Sequence, residues 1–366
     1  MLFALTVLSS AVLASCSKEN GSTVSEYLEI VLDKTVIEAN GIDAVNFSVV
    51  YDGIDVSDKA VVYNADGTVA DIPDMKFITE TEGSYSFYAE YNSERSPEVT
   101  VTAIGSSLPE IPQDPQPEST DFARKALVTL FTSIDCSYCP YSVLALDELS
   151  KSQVRNQYVL VECHSKIKQD PAWYGGPLVS VCGSMMTPYL SVDLDRGISY
   201  EGANPVTPAL VASYRGLILN AVNSRPAKAA IAASSTLSAG NVIVSMSVKA
   251  AETGEYRVGA WLLEDGIYGK QLNGGASGLD FDTHNNCLRY AQYTGEGSSA
   301  DYTGVSLGTV NAGEEAAYTF SIPVESGWNA GNCHLVLFVT AGDGSAFYVN
   351  NAASLEIGGT VAYEYN

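Results

Sequence analysis

Two cysteines three positions apart, in Cys136-Ser137-Tyr138-Cys139-Pro140, follow closely on the apolar run Ala126 to Phe131. Leu127-Val128-Thr129-Leu130-Phe131 is too short for a helix and rich in β-formers, which predicts a short buried strand. Thr132 to Asp135 is a polar turn. Tyr141 to Leu149 then carries Val143, Leu144, Leu146 and Leu149 at helical spacing. The cysteines therefore sit where a strand hands over to a helix N-terminus. Free backbone N–H groups and the positive end of the helix dipole favour a thiolate there, with a pKa in the range of about 3.5–7.5. Cys139, one helical turn on, is within reach of a mixed disulfide formed at Cys136. Cys136 is thus the expected attacking thiol and Cys139 the resolving one. Pro140 falls close enough to the first turn to be tolerated.

This arrangement resembles a thioredoxin-type signature. Met186-Thr187-Pro188-Tyr189-Leu190 stands at the separation where thioredoxin-like folds place a cis-proline loop beside the CxxC pair. The resemblance implies Pro188 as the third site residue, presenting backbone groups to a substrate chain, and a thioredoxin-like domain over residues 122–226. A fixed disulfide is the competing reading of the pair. A second CxxC or a histidine pair at ligand spacing is missing, so no metal is expected. No phosphate-binding Gly loop or dinucleotide fingerprint stands out, and no cofactor is expected. Tyr158 to Cys163 is the expected second strand. Cys163 and His164, as neighbours on a strand end, point to opposite faces, so Cys163 reads as structural and His164 as a loop residue. The aromatic stretch Ala172-Trp173-Tyr174-Gly175-Gly176-Pro177 is a candidate cover for the CxxC pair, contacting substrate or packing internally.

The chain opens on an export signal. Leu2 to Ala14 is apolar, uncharged and too short to span a membrane as a helix. Leu13-Ala14-Ser15-Cys16 resembles a bacterial lipobox, which implies cleavage before Cys16 and lipid attachment to it. Residues 1–15 are then the signal peptide and 16–25 a flexible tether. Ser17-Lys18-Glu19-Asn20 looks like the short signals that send some lipoproteins to the cell surface, with the periplasmic face as the alternative. Of seven cysteines, setting Cys16 aside leaves six, an even number for an oxidising compartment. Location within domains predicts three pairs: Cys136 with Cys139, Cys163 with Cys182, and Cys287 with Cys333, the last two structural.

Forty-three acidic against 19 basic residues give a net charge of −24, which repels nucleic acid and argues against such a partner. From Glu26 to Ala103 the chain alternates. Tyr27–Leu32, Val45–Tyr51, Ala60–Tyr63, Tyr85–Tyr91 and Pro97–Ala103 read as strands, with turn signals such as Asn40-Gly41, Asp52-Gly53 and Asp66-Gly67 between them. About seven short strands, with Gly83-x-Tyr85-x-Phe87-x-Ala89, resemble a bacterial Ig-like β-sandwich over 26–104. Pro109, Pro112, Pro115 and Pro117 mark 105–121 as an extended, semi-rigid linker. After 226, Val242–Val248, Tyr256–Leu263, Ala317–Ile322 and His334–Val339 predict a second β-sandwich over 227–366. The long polar stretch Asn273 to Gly308 reads as a functional loop or an interaction surface. The expected architecture is thus multidomain, α/β plus all-β.

From about Lys125 to Asn366 the chain resembles the outer membrane protein 28-related family of exported lipoproteins. The matching residues are Cys136-Ser137-Tyr138-Cys139-Pro140, Glu264-Asp265-Gly266-Ile267 with Gln271, and Thr283-His284-Asn285-Asn286-Cys287-Leu288-Arg289. Thr294-Gly295, Trp328-Asn329 and Val349-Asn350-Asn351-Ala352-Ala353 continue the match. The resemblance implies a thioredoxin-like domain fused to a β-sandwich and an outer-membrane location. Where the family tends to have His-Asn-His-Val, this chain has His284-Asn285-Asn286-Cys287. His284 and Arg289 read as hydrogen-bonding contacts between domains more readily than as an anion site. Two functions follow from the whole. One is thiol–disulfide exchange on disulfide-containing exported proteins. The other is a surface binding or adhesion protein in which the CxxC pair is a stabilising disulfide.

Overall fold

The computed structural model describes residues 27–184, 186–199, 208–344 and 346–366. The expected signal peptide, the tether and Cys16 lie outside them. The described residues divide into two compact units: those within 27–110, 235–245 and 319–323, and those within 111–234, 246–318 and 324–366.

The first unit is built from two sheets. In one, Val36–Glu38, Val99–Ile104, Gly83–Tyr91 and Val61–Asn64 lie in that order. In the other, Leu28–Leu32 pairs with Ala44–Tyr51. Alternation along each strand sends Leu28, Ile30 and Leu32 inward to meet Val45, Phe47 and Val49, with Phe87, Val99 and Val101 from the facing sheet. Phe47 meets Phe87 edge-on at 5.1 Å. Two segments from far along the chain join this unit: Ile243 packs with Val36 and Ile104, and the Ser321 hydroxyl lies 2.8 Å from that of Thr102.

The second unit is organised by one nine-stranded sheet. Its order is Ile198–Ser199, Tyr189–Val192, Ala126–Thr132, Tyr158–His164, Cys287–Tyr290, Gly254–Glu264, Cys333–Asp343 and Ala346–Glu356, with Val305–Val310 also paired to Gly254–Glu264. Ala126–Thr132 and Tyr158–His164 run parallel, and Tyr189–Val192 is antiparallel to the first of them. One face of these strands carries Ala126, Val128, Leu130 and Leu160. It is covered by helix α1 (Cys139–Ser150) and, beyond the short α2 (Leu178–Val181), by α3 (Pro208–Ser224). The other face carries Leu127, Phe131, Val161 and Cys163 and packs with Trp261, Tyr302 and Phe338.

The expected division at 226–227 is crossed by this sheet. Glu162 pairs with Cys287, and the Glu162 N–H donates to the Asn286 carbonyl at 2.8 Å. The polar stretch 273–308 is accordingly not one loop: it supplies the strands Thr283–His284, Cys287–Tyr290 and part of a third. The proline-rich linker also differs from expectation over 111–121. Lys249, only 2% exposed, donates to Asp114 at 2.7 Å and to the Pro117 carbonyl at 2.6 Å, while Ile111 packs beside Phe122. A buried ammonium demands acceptors, and this segment provides them.

Candidate functional site

The strand–turn–helix expected around the CxxC pair is present. Ala126–Thr132 is a strand buried along its whole length, and α1 begins at Cys139 with Pro140 in its first turn. Cys136 lies in the turn before the helix, its N–H donating to the Ser133 carbonyl at 3.1 Å. Cys136 and Cys139 are joined in a disulfide, with a Cα–Cα distance of 5.4 Å. The Thr187–Pro188 peptide is cis, and Tyr189, the next residue, pairs with Phe131. Pro188 thus stands at the end of the sheet from which the CxxC turn departs.

Two side chains hold that turn. Asp170 accepts from the Ile134 N–H at 2.9 Å and from His164 Nδ1 at 2.8 Å. Burial works against its charge, but the bonds from His164, Ile134 and Ala172 outweigh that and keep its carboxyl below the usual carboxylate range. Gln271 Nε2 lies 2.9 Å from the Cys136 carbonyl oxygen and 3.2 Å from those of Ser133 and Ile134. The backbone from Gln271 to Gly274 continues the contact. Leu272 N–H donates to the Ile134 carbonyl at 2.7 Å and Gly274 N–H to the Ser137 carbonyl at 2.9 Å, while the Tyr141 hydroxyl donates to the Gly274 carbonyl. A side chain at 274 would meet the Ser137 carbonyl oxygen, which is why the strap needs a glycine there. Beside this strap Cys136 is 5% exposed and Cys139 1%.

The expected cover, Ala172 to Pro177, packs elsewhere. Ala172 sits against Ile267 and Cys287, and the Tyr174 hydroxyl meets that of Tyr302 at 3.2 Å. His164 is likewise not a loop residue. It ends the Tyr158–His164 strand, wholly buried, with His284 edge-on to its ring at 4.8 Å. Burial and the neighbouring His164 lower the pKa of His284, and its Nε2 donates to the Gly269 carbonyl at 3.0 Å. Arg289 meets Glu264 at 2.7 Å and the Pro171 carbonyl at 2.9 Å.

The two disulfides expected from parity, Cys163–Cys182 and Cys287–Cys333, are not formed; all four are buried free thiols. Geometry forbids the second. Cys287 and Cys333 both pair with Glu264, from opposite sides of its strand. Two strand spacings put their Cα atoms about 10 Å apart, beyond the limit of about 7 Å for a bridge. Cys163 and Cys182 share one apolar cluster, where unbonded thiols pack as small hydrophobes. Burial pushes the Cys182 thiol up to about 12 and the Cys333 thiol to about 11.

Sequence reasoning found the CxxC pair and missed what holds it. Asp170 and Gln271 act across long loops, with no local pattern to mark them. Glu162 was more legible: it is the one charged residue in an otherwise apolar strand, and it lines a groove beside α1. Among the described residues no group of three or more His, Cys, Asp or Glu side chains is placed to share a metal ion.

The chain is a β-rich protein of several sheets that carries a strand-to-helix disulfide turn beside a sheet end. A family model described as outer membrane protein Omp28 matches residues 193–360. That is under half of the chain, and the matched segment begins after the CxxC turn. Two solved structures are similar in part. HBP35 of Porphyromonas gingivalis is 15% identical, with a TM-score of 0.48 over 67% of this chain and 78% of that one. A domain of the outer membrane lipoprotein Omp28 from Porphyromonas gingivalis is 22% identical, with a TM-score of 0.21 over 36% of this chain and 88% of that one. At these scores neither overlay establishes a common fold. No curated protein matches the chain.

Proposed function

We propose that this chain is a lipid-anchored binding protein of the outer membrane, displayed at the cell surface, whose Cys136–Cys139 pair is a stabilising disulfide. The observation that carries the reading is the strap: the pair is almost wholly covered, and Gln271 and Gly274 bond to the carbonyls of its turn. A catalytic pair must offer a sulfur to an incoming disulfide. The match to an outer membrane family supports the location, and the Leu13 to Cys16 sequence supports the anchor. We read 122–226 as thioredoxin-like, 26–104 as an Ig-like spacer and 227–366 as a β-sandwich fused to the former through the shared sheet.

The test is the reduction potential of the pair, equilibrated against thiol buffers with Cys136→Ser as control. A value below about −300 mV is expected, as for disulfides that resist the glutathione pool. A value between roughly −270 and −120 mV overturns this reading in favour of exchange catalysis.

The exchange reading has its own support, the placement of Cys139 at the helix start and of Pro188 at the same sheet end. In it an external thiol first reduces the pair. The Cys136 thiolate then attacks a substrate disulfide and displaces one substrate thiolate, and Cys139 attacks the mixed disulfide. Substrate leaves as a dithiol while the pair is reoxidised. With Cys136 5% exposed, its cover must open for any of these steps.

A further inference from the structure

A groove of about 730 Å³ lies in the second unit on the α1 side of the Tyr158–His164 strand. This is within the range of roughly 300–1,000 Å³ typical of small-molecule sites. Val143 and Leu146 of α1 form one apolar wall and Leu279 and Phe281 another, with Leu160 and Glu162 contributed by the strand. Glu162 is 7% exposed, and its carboxyl makes no hydrogen bond or ion pair with any described residue. A buried carboxyl without a partner is costly to ionise. Burial, with Asp265 nearby, pushes its pKa up to about 8.

Four further carboxylates border the groove. Asp147 belongs to α1, Asp265 follows the Gly254–Glu264 strand, Asp280 precedes the Thr283–His284 strand and Glu356 ends the Ala346–Glu356 strand. Asp147 is already bonded to Lys151 at 2.6 Å. His284 and His334 also border the groove, and Arg155 is its one Lys or Arg side chain among the described residues. Such a field repels anions and leaves one buried acid waiting for positive charge.

We propose that this groove binds an organic cation, seating an ammonium group against the carboxylate of Glu162 and its aliphatic stem between the α1 and Leu279–Phe281 walls. This names the ligand class of the binding reading above and rests on it. An amine delivers charge and hydrogen-bond donors together, and the apolar walls suit a methylene chain. Seating it ionises Glu162, so each binding event releases a proton near neutral pH.

The test is calorimetric titration of the protein, wild type and Glu162→Gln, with spermidine and with lysine blocked at both backbone ends; blocked norleucine is the neutral control. Wild type should bind one cation and not norleucine, with heats that vary with the buffer's ionisation enthalpy as one proton leaves. Affinity should rise at least tenfold from pH 6.5 to 8.5. Glu162→Gln should weaken binding at least tenfold at pH 8.5 and flatten the pH dependence, which separates Glu162 from His284 and His334. Ser354→Arg, which places a cation in the same groove, should also weaken binding with Glu162 intact. Preference for spermidine over blocked lysine identifies a free polyamine, and the reverse identifies a lysine side chain of a protein partner. Absence of binding by both, or equal binding by Glu162→Gln, overturns the proposal. A reduction potential below about −300 mV alongside absent binding would leave the stabilising disulfide standing and remove only the cation site.

Discussion

Gln271 Nε2 stands 2.9 Å from the carbonyl oxygen of Cys136, joining residues 135 positions apart. The amide also reaches the carbonyls of Ser133, Ile134 and Leu272, so one side chain satisfies acceptors from both the CxxC turn and the strap. Ser133, Ile134 and Cys136 each keep a backbone donor without it, so its loss should cost less than the roughly 1–3 kcal/mol of a wholly unsatisfied carbonyl at each.

Gln271→Ala should therefore loosen the strap. Reduction of Cys136–Cys139 by a water-soluble phosphine, followed by mass change after thiol alkylation, should be at least several-fold faster than in wild type. An unchanged rate would mean that the strap does not limit access.

Four free thiols are expected besides the CxxC pair. Cys16→Ser protein, denatured without reductant, should titrate four thiols with a chromogenic disulfide; the pairings expected from parity would leave none. Before denaturation the four should react slowly, because all are buried and burial holds each thiol up.

Arg124 and Asp193 form a buried pair at 2.5 Å, each below 5% side-chain exposure, and Asp193 also accepts from the Leu127 N–H at the start of the central strand. Asp193→Asn leaves the guanidinium unpaired. A loss of about 3–5 kcal/mol in denaturant unfolding is expected. Replacing both partners with apolar residues of similar volume should cost less than that, and a double-mutant cycle measures the difference.

Glu162 gives stability a pH dependence of definite sign. Its folded pKa of about 8 lies above the unfolded value, so the native state holds the extra proton. Its contribution is complete below about pH 4.3 and is lost as pH rises through about 8. Glu162→Gln should be close to wild type in stability at pH 4.5 and more stable than it at pH 8.5, by thermal unfolding at both values. A constant difference across that range would contradict the shift.

Local patterns told the strands of the first unit, because alternation and turn residues act within a few positions. The same holds for the strand and helix flanking the CxxC pair: an apolar run of β-formers, a polar turn and a 3.6-residue period are short-range signals. The helix nevertheless starts at Cys139 rather than Tyr141, since Pro140 suits a first turn. Disulfide parity misled because counting cysteines says nothing about strand order: Cys287 and Cys333 ended on either side of Glu264.

Short-range patterns set where strands and helix form around Cys136 and Cys139, and a spacing of three residues brings these two thiols together. What surrounds them came from long-range packing. It bonded Gln271, Gly274 and Asp170 to the turn, ran one sheet through Glu162 and Cys287, and left the Glu162 carboxyl lining a groove without a partner. Those relations depend on closing loops of tens to more than a hundred residues, where the outcome is fixed by packing of whole faces and by the demand that buried polar groups find partners.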